Sequence, residues 1–220
     1  MQSAMSYNPA MPGRGLSVLI AAVIVVAVPA PAAVGQDTGR LTFRAPVSEL
    51  WLQASSYARN KRPGDCVEVV LPGRLDQPPL PVALTGRQAA NWTTPEAAMA
   101  SIRSANTAGD RDWILENFVK DEHAGLRAQV DDPVLLKRNL DYYKTIRTVE
   151  ITGSAQLRGY TIVFIREEPD AGAARIVPVT LMKTASGWKQ TNALSADETF
   201  DIVWAALRAA KTRGKTLGSC

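Results

Sequence analysis

The chain has 220 residues, 46% of them hydrophobic and 21% charged, which is ordinary globular usage and excludes wholesale disorder, a collagen-like repeat and a coiled coil. Twenty-five Lys and Arg against 21 Asp and Glu give a net charge of +4, but no basic block dominates, so nucleic acid is not implied as a partner. One His and two Cys leave almost nothing from which to build a zinc or iron–sulfur centre, and no metal or cofactor is expected.

Arg14 is the only charged side chain before Asp37, and the apolar run Leu16 to Val28 follows it. That is the order of a secretory signal, predicted over residues 1–35. A membrane-spanning helix needs about 20 apolar residues, whereas this run stops at Pro29. An uncleaved anchor is the alternative, and in that case the N-terminal segment would be the protein's membrane contact. Small residues place cleavage after Ala32 or after Gly35, leaving a periplasmic or secreted protein with a net charge of +3, since only Arg14 is lost. An oxidising compartment would let Cys66 and Cys220 form a single disulfide, with an unpaired Cys220 on a frayed end as the alternative.

Residues 36–91 carry Pro46, Pro63, Pro72, Pro78, Pro79 and Pro81, so long helices are excluded. The spacing of Val47, Leu50, Trp51, Ala54 and Ala58 predicts a helix over 48–60, and Val67–Leu71 with Leu80–Leu84 predict a long-looped hairpin. This stretch reads as an N-terminal extension packed on a main domain at 92–210. In that domain Thr94-Pro95-Glu96 starts a helix that Gly109 ends, Asp110 caps a second, and Asp132-Pro133 opens a third bearing Leu136, Leu140 and Tyr143. After residue 147 the period becomes two, predicting strands over 148–154, 160–166, 176–183 and 188–192. The run Tyr160 to Ile165, apolar on both faces, is predicted to be central, and Pro178 predicts an edge or a bulge. Asp197 caps a last helix with Phe200, Val203, Trp204 and Leu207 on one face, and residues 211–220 read as a flexible basic tail.

Three helices followed by an antiparallel meander, with Thr94-Pro95-Glu96-Ala97-Ala98 leading to Ala108-Gly109-Asp110, resemble the nuclear transport factor 2-like (cystatin-like α+β) superfamily and its small exported bacterial members. The resemblance implies an α+β fold in which helices pack on a curved antiparallel four-stranded sheet. It further implies a cone whose mouth is a pocket or active site, and an outer sheet face that can form a homodimer. Fold alone assigns neither role.

Within such a cone the apolar helix faces would meet the inner face of the central strand, so Ile102, Trp113, Leu140, Tyr143, Ile162 and Phe164 are the expected ligand-pocket lining. An acid–base enzyme would need a carboxyl or His in that dry space beside a tyrosine, because burial moves its pKa toward neutrality. Tyr143 and His123 are the candidate catalytic residues, yet His123 falls in the polar junction Lys120 to Gly125, and Tyr143 reads first as a core aromatic whose hydroxyl reaches the rim. Asp121, Glu122, Tyr142, Tyr160 and Glu150 carry weaker cases; Glu150 shares a face with Thr148 and Thr152, and Glu167 and Glu168 fall at a turn. No strand is read as carrying a carboxylate into its apolar face. A carboxylate found buried beside Tyr143 would favour the enzyme. Arg138, Arg147, Arg158, Arg166 and Arg175 could gather to attract an anion or simply form a solvated face.

The leading expectation is an exported, non-catalytic domain that binds a small apolar or amphipathic ligand or an envelope protein. An isomerase or hydrolase in the same pocket comes second, and a dimerising assembly module third.

Overall fold

The computed structural model describes residues 39–52, 56–209 and 212–220; the predicted signal segment and its cleavage sites lie outside the described residues. Capping chemistry delimits the helices. Helix α1 (Pro95–Ala108) starts where Thr94 Oγ1 accepts from the Ala97 amide at 3.2 Å, and it ends at Gly109, which is left-handed at φ 65°. A Cβ at Gly109 would stand 2.7 Å from Leu140 Cδ2, so the glycine also lets the neighbouring helix approach. Asp110 caps α2 (Arg111–Glu116) by accepting from Trp113 N at 3.0 Å. Helix α3 (His123–Asp131) occupies what the sequence reads as a polar junction; Val130 is its one buried residue, which is why its periodicity is faint. Asp132 caps α4 (Pro133–Lys144) and Asp197 caps α5 (Glu198–Arg208), each accepting from a backbone amide at 2.8 Å.

The strands are β1 (Gly39–Pro46), β2 (Cys66–Pro81), β3 (Ile146–Leu157), β4 (Tyr160–Pro169), β5 (Arg175–Thr184), β6 (Gly187–Gln190), β7 (Thr212–Arg213) and β8 (Thr216–Gly218). They form one sheet in the order β6-β5-β4-β3-β2-β1-β8-β7, with every pair antiparallel except β1 with β8. This overturns the expected four-stranded cone and the family resemblance with it: the sheet is eight-stranded and mixed. The Thr94–Ala98 and Ala108–Asp110 signals are a capped helix and its junction, which many folds can use.

The segment read as an extension instead supplies β1 and β2, in the middle of the sheet. Its expected helix is absent over the described residues, where only Val47–Glu49 forms a short 3-10 turn. The first run read as a hairpin arm, and Leu80 and Pro81 at the start of the second, belong to one 16-residue strand. Its first half pairs with β1 and its second with β3, and Gln77 to Pro79 sit in the register break between Leu75 and Leu80, outside the ladder that proline cannot join. The tail read as flexible instead carries β8, which pairs with Thr42–Arg44 of β1, and of the two arrangements expected for the cysteines the structure has the disulfide, joining Cys66 to Cys220 with a Cα separation of 5.8 Å. Pro178 does lie where β5 is the outer edge, since β6 reaches only Leu181–Thr184.

Helices cover both sheet faces. Ile202, Val203 and Leu207 of α5 pack with Phe43, Ile162 and Phe164 on one face, while Met99 and Ile102 of α1 pack with Val163, Ile165 and Leu181 on the other. A bulge decides how β3 divides its residues. Ile151 pairs with Ile165, but Gly153 pairs with Phe164, so Thr152 is an extra residue and the side-chain parity reverses beyond it. Ile151 therefore faces α1, whereas Ala155 and Leu157, of the same parity, join the cluster under α5. Among the described residues no helix is long and apolar enough to cross a membrane.

Candidate functional site

The expected pocket lining is dispersed. Ile162 and Phe164 belong to the core under α5, Ile102 to the opposite core under α1, and Trp113 to a third cluster between the helices with Ile114 and Val130. The alternation of β4 explains the error: even-numbered residues face α5 and odd-numbered residues face α1, so no cavity can contain both Phe164 and Ile102. Leu140 packs toward Gly109. Tyr143 lines a cleft of about 530 Å³ contributed by α1 to α4 and β6, which none of the other expected residues lines.

Ile114, Phe118, Leu126, Val130 and Leu136 make the apolar part of that cleft. Its polar part consists of the amides of Asn106, Gln129, Asn139 and Gln190 together with the Arg138 guanidinium, and no carboxylate lines it. Asn139 donates to Asn106 Oδ1 at 2.8 Å, which ties α4 to α1 across the cleft. Four of the five arginines suspected of gathering are ion-paired elsewhere: Arg147 with Glu168, Arg158 with Asp197, Arg166 with Glu150 and Arg175 with Glu167. Arg138 is exposed and makes no ion pair among the described residues. His123 is not among the lining residues; its ring Nε2 donates to the Phe118 carbonyl at 3.1 Å.

Behind the tyrosines lies a buried carboxylate that the sequence reading missed. Glu167 is only 6% exposed and continues the row of Val163 and Ile165, so the period-two signal was present, but it was masked by a strand apolar on both faces. Its Oε2 accepts from the Tyr142 hydroxyl and from Arg175 Nε, the latter at 3.0 Å. Burial pushes the Glu167 carboxyl up, and the Arg103 guanidinium opposes that in part. Burial likewise lowers the Arg103 pKa, and its Nη1 is buried without a partner among the described residues. The Tyr143 hydroxyl is pushed up to about 12, chiefly by burial and then by the negative charge of Glu167, with Arg103 acting against both. Tyr143 makes no side-chain hydrogen bond within the described residues, so near neutral pH its hydroxyl is a donor without a partner.

Lys189 is a second buried charge, 7% exposed. Its Nζ donates to the Glu116 carbonyl at 2.7 Å and stands 3.7 Å from the centre of the Trp92 ring. It thereby closes the C-terminal end of α2, where a cation is favoured, while burial lowers its pKa. Among the described residues no three His, Cys, Asp or Glu side chains group to hold a metal ion.

No protein-family model matches the chain, and no curated protein matches it. Among solved structures, a SEC-C motif containing protein from Rhodopseudomonas palustris is similar at 18% identity over 44% of this chain and 75% of that one. The TM-score is 0.32, so this likeness carries no argument about fold or function.

Proposed function

We propose that the protein binds a small amphipathic molecule in the helical cleft, its apolar body against Ile114, Phe118 and Leu136 and its anionic head at Arg138 and Tyr143. The observation that carries this reading is the composition of the lining: an apolar wall, neutral amides, and a single charge, Arg138, that no other described group neutralises. The Tyr143 hydroxyl, held protonated, supports the same head-group chemistry. A straight-chain carboxylate is the simplest probe. Decanoate should bind more tightly than octanoate, since each buried methylene contributes about 0.8 kcal/mol. Arg138→Gln should weaken decanoate about tenfold, and decanol should bind the native protein no better than decanoate binds that variant. Calorimetric titration decides it: equal affinity of native and variant protein for decanoate removes the reading.

A second reading, acid–base chemistry, is favoured by Glu167 alone, a buried carboxyl hydrogen-bonded to a tyrosine that lines the cleft. Glu167 itself is not among the lining residues, and two donors already engage its Oε2, so Tyr142 would have to relay the proton. The assembly reading is weaker, because α5 packs on the sheet face that was to dimerise. Export belongs to the first proposal and is supported by the Leu16 to Val28 run and by the Cys66–Cys220 bridge. Intact-mass measurement of the protein from its native envelope tests it, and a mass that retains the run would make the protein an anchored one.

A further inference from the structure

A second opening lies on the α1 side of the sheet, where β3 and β4 run beyond the start of that helix. It measures about 200 Å³ and is lined by Ser154, Gln156, Thr161, Glu96, Arg74 and Trp188, with Ile151, Val163 and Pro95 as its apolar part. This is smaller than the roughly 300–1,000 Å³ of sites for drug-sized ligands, which limits an occupant to about one ring. The bulge at Thr152 creates this lining: it turns Ser154 and Gln156 toward the face that Ala155 and Leu157 would otherwise occupy. A polar row has thus been placed on a face whose other strand residues, Ile151 and Val163, are core.

We propose that this pocket binds one neutral sugar ring. Polar atoms without partners are of both kinds. Ser154 is 9% exposed, and its hydroxyl, like the Trp188 indole N–H, makes no hydrogen bond within the described residues. Glu96 uses only Oε1, which accepts from Arg74 at 3.1 Å, and leaves Oε2 to accept another donor. Gln156 and Thr161 bond to each other at 2.9 Å and can each offer a further polar atom. A ring bearing several hydroxyls both donates and accepts at each of them, which a hydrocarbon or a simple amine does not. The half-buried Trp188 ring supplies the flat apolar surface that the C–H face of such a ring can cover.

The charges select against acidic sugars. Arg74 is shared between Asp76, at 2.9 Å, and Glu96, and Asp76 Oδ2 is buried without a partner among the described residues. Arg74 thus spends Nε on Asp76 and Nη2 on Glu96, and the charged atom that the lining leaves open to a ligand is Glu96 Oε2, which a carboxylated ring would meet as a like charge.

The test is saturation-transfer NMR with calorimetric titration of the full, disulfide-bonded chain against the methyl pyranosides of glucose, galactose and mannose, with N-acetylglucosamine, and with glucuronate as the acidic counterpart. At least one neutral ring should bind with a millimolar Kd, and glucuronate should bind at least fivefold more weakly. Ser154→Ala and Glu96→Gln should each weaken the neutral ring about tenfold while leaving the thermal midpoint in place, and Arg138→Gln, in the other cleft, should leave it unchanged. The proposal is overturned if no neutral ring gives saturation transfer at millimolar concentration, if glucuronate binds as well as glucose, or if neither Ser154→Ala nor Glu96→Gln changes the affinity.

Discussion

Breaking the Cys66–Cys220 bridge should be the most costly covalent change available to this domain. The two residues are 154 apart in sequence, and closing a loop of that length in the unfolded chain corresponds to about 5 kcal/mol on the chain-entropy account. Measured bridges usually deliver about 2–4 kcal/mol, so a loss in that range is the conservative expectation. Strand β8 pairs with β1 over Thr42–Arg44, and Leu217 is 3% exposed in the core under α5, so the folded state keeps these contacts when the bond is gone. The loss therefore falls mainly on the unfolded state: near-ultraviolet circular dichroism should be nearly unchanged, and the urea midpoint should drop. The assay is urea unfolding of the native protein and of the Cys66→Ala, Cys220→Ala double variant, with mass measurement before and after reduction to establish the bond. A loss below about 1 kcal/mol would refute the reasoning, because it would mean that the bridge does not constrain the unfolded chain.

Ile202→Ala, at a fully buried position where α5 meets the sheet, should cost about 2–5 kcal/mol in denaturant unfolding, and a near-neutral result would mean that α5 is not seated as described. Gly187→Ala should destabilise markedly, since φ is 107° and a Cβ would stand 2.4 Å from the Trp92 carbonyl oxygen; thermal unfolding reads the loss. Absorbance titration near 295 nm should show Tyr143 ionising at about 12, as a step that Tyr143→Phe removes. Because the folded state keeps this proton longer, Tyr143 should make stability fall as the pH rises from 10.0 to about 12. Glu167, raised above 4.5 in the folded state, should likewise make stability fall as the pH climbs from 4.5 through its folded value, and Glu167→Gln should flatten that slope. Glu168 and Glu198 act in the opposite sense below 4.5, where their lowered carboxyls lose their stabilisation as the pH falls.

Local chemistry was legible from the residues alone. Thr94, Asp110, Asp132 and Asp197 announced four helices because an N-cap acts within three residues, and each accepts the amide bond its position requires. The strands β3 to β6 were readable because their turns are short and their patterns alternate. What only the tertiary structure decided is long-range pairing. Residues 39–46 join residues 66–73 and 216–218, and no local signal specifies a partner so distant in sequence, so β1 and the tail went unrecognised as sheet and the strand signal at Val67–Leu71 was given the wrong partner. The candidate sites depend on facing in the same way. Glu167 alternates with Ile165 and Val163 on a strand apolar on both sides, and only the packing of α1 against one side and α5 against the other shows which residues share a space. A single inserted residue, Thr152, reverses the facing of Ser154 and Gln156, and that reversal follows from the pairing of β3 with β4, which no pattern within β3 alone determines.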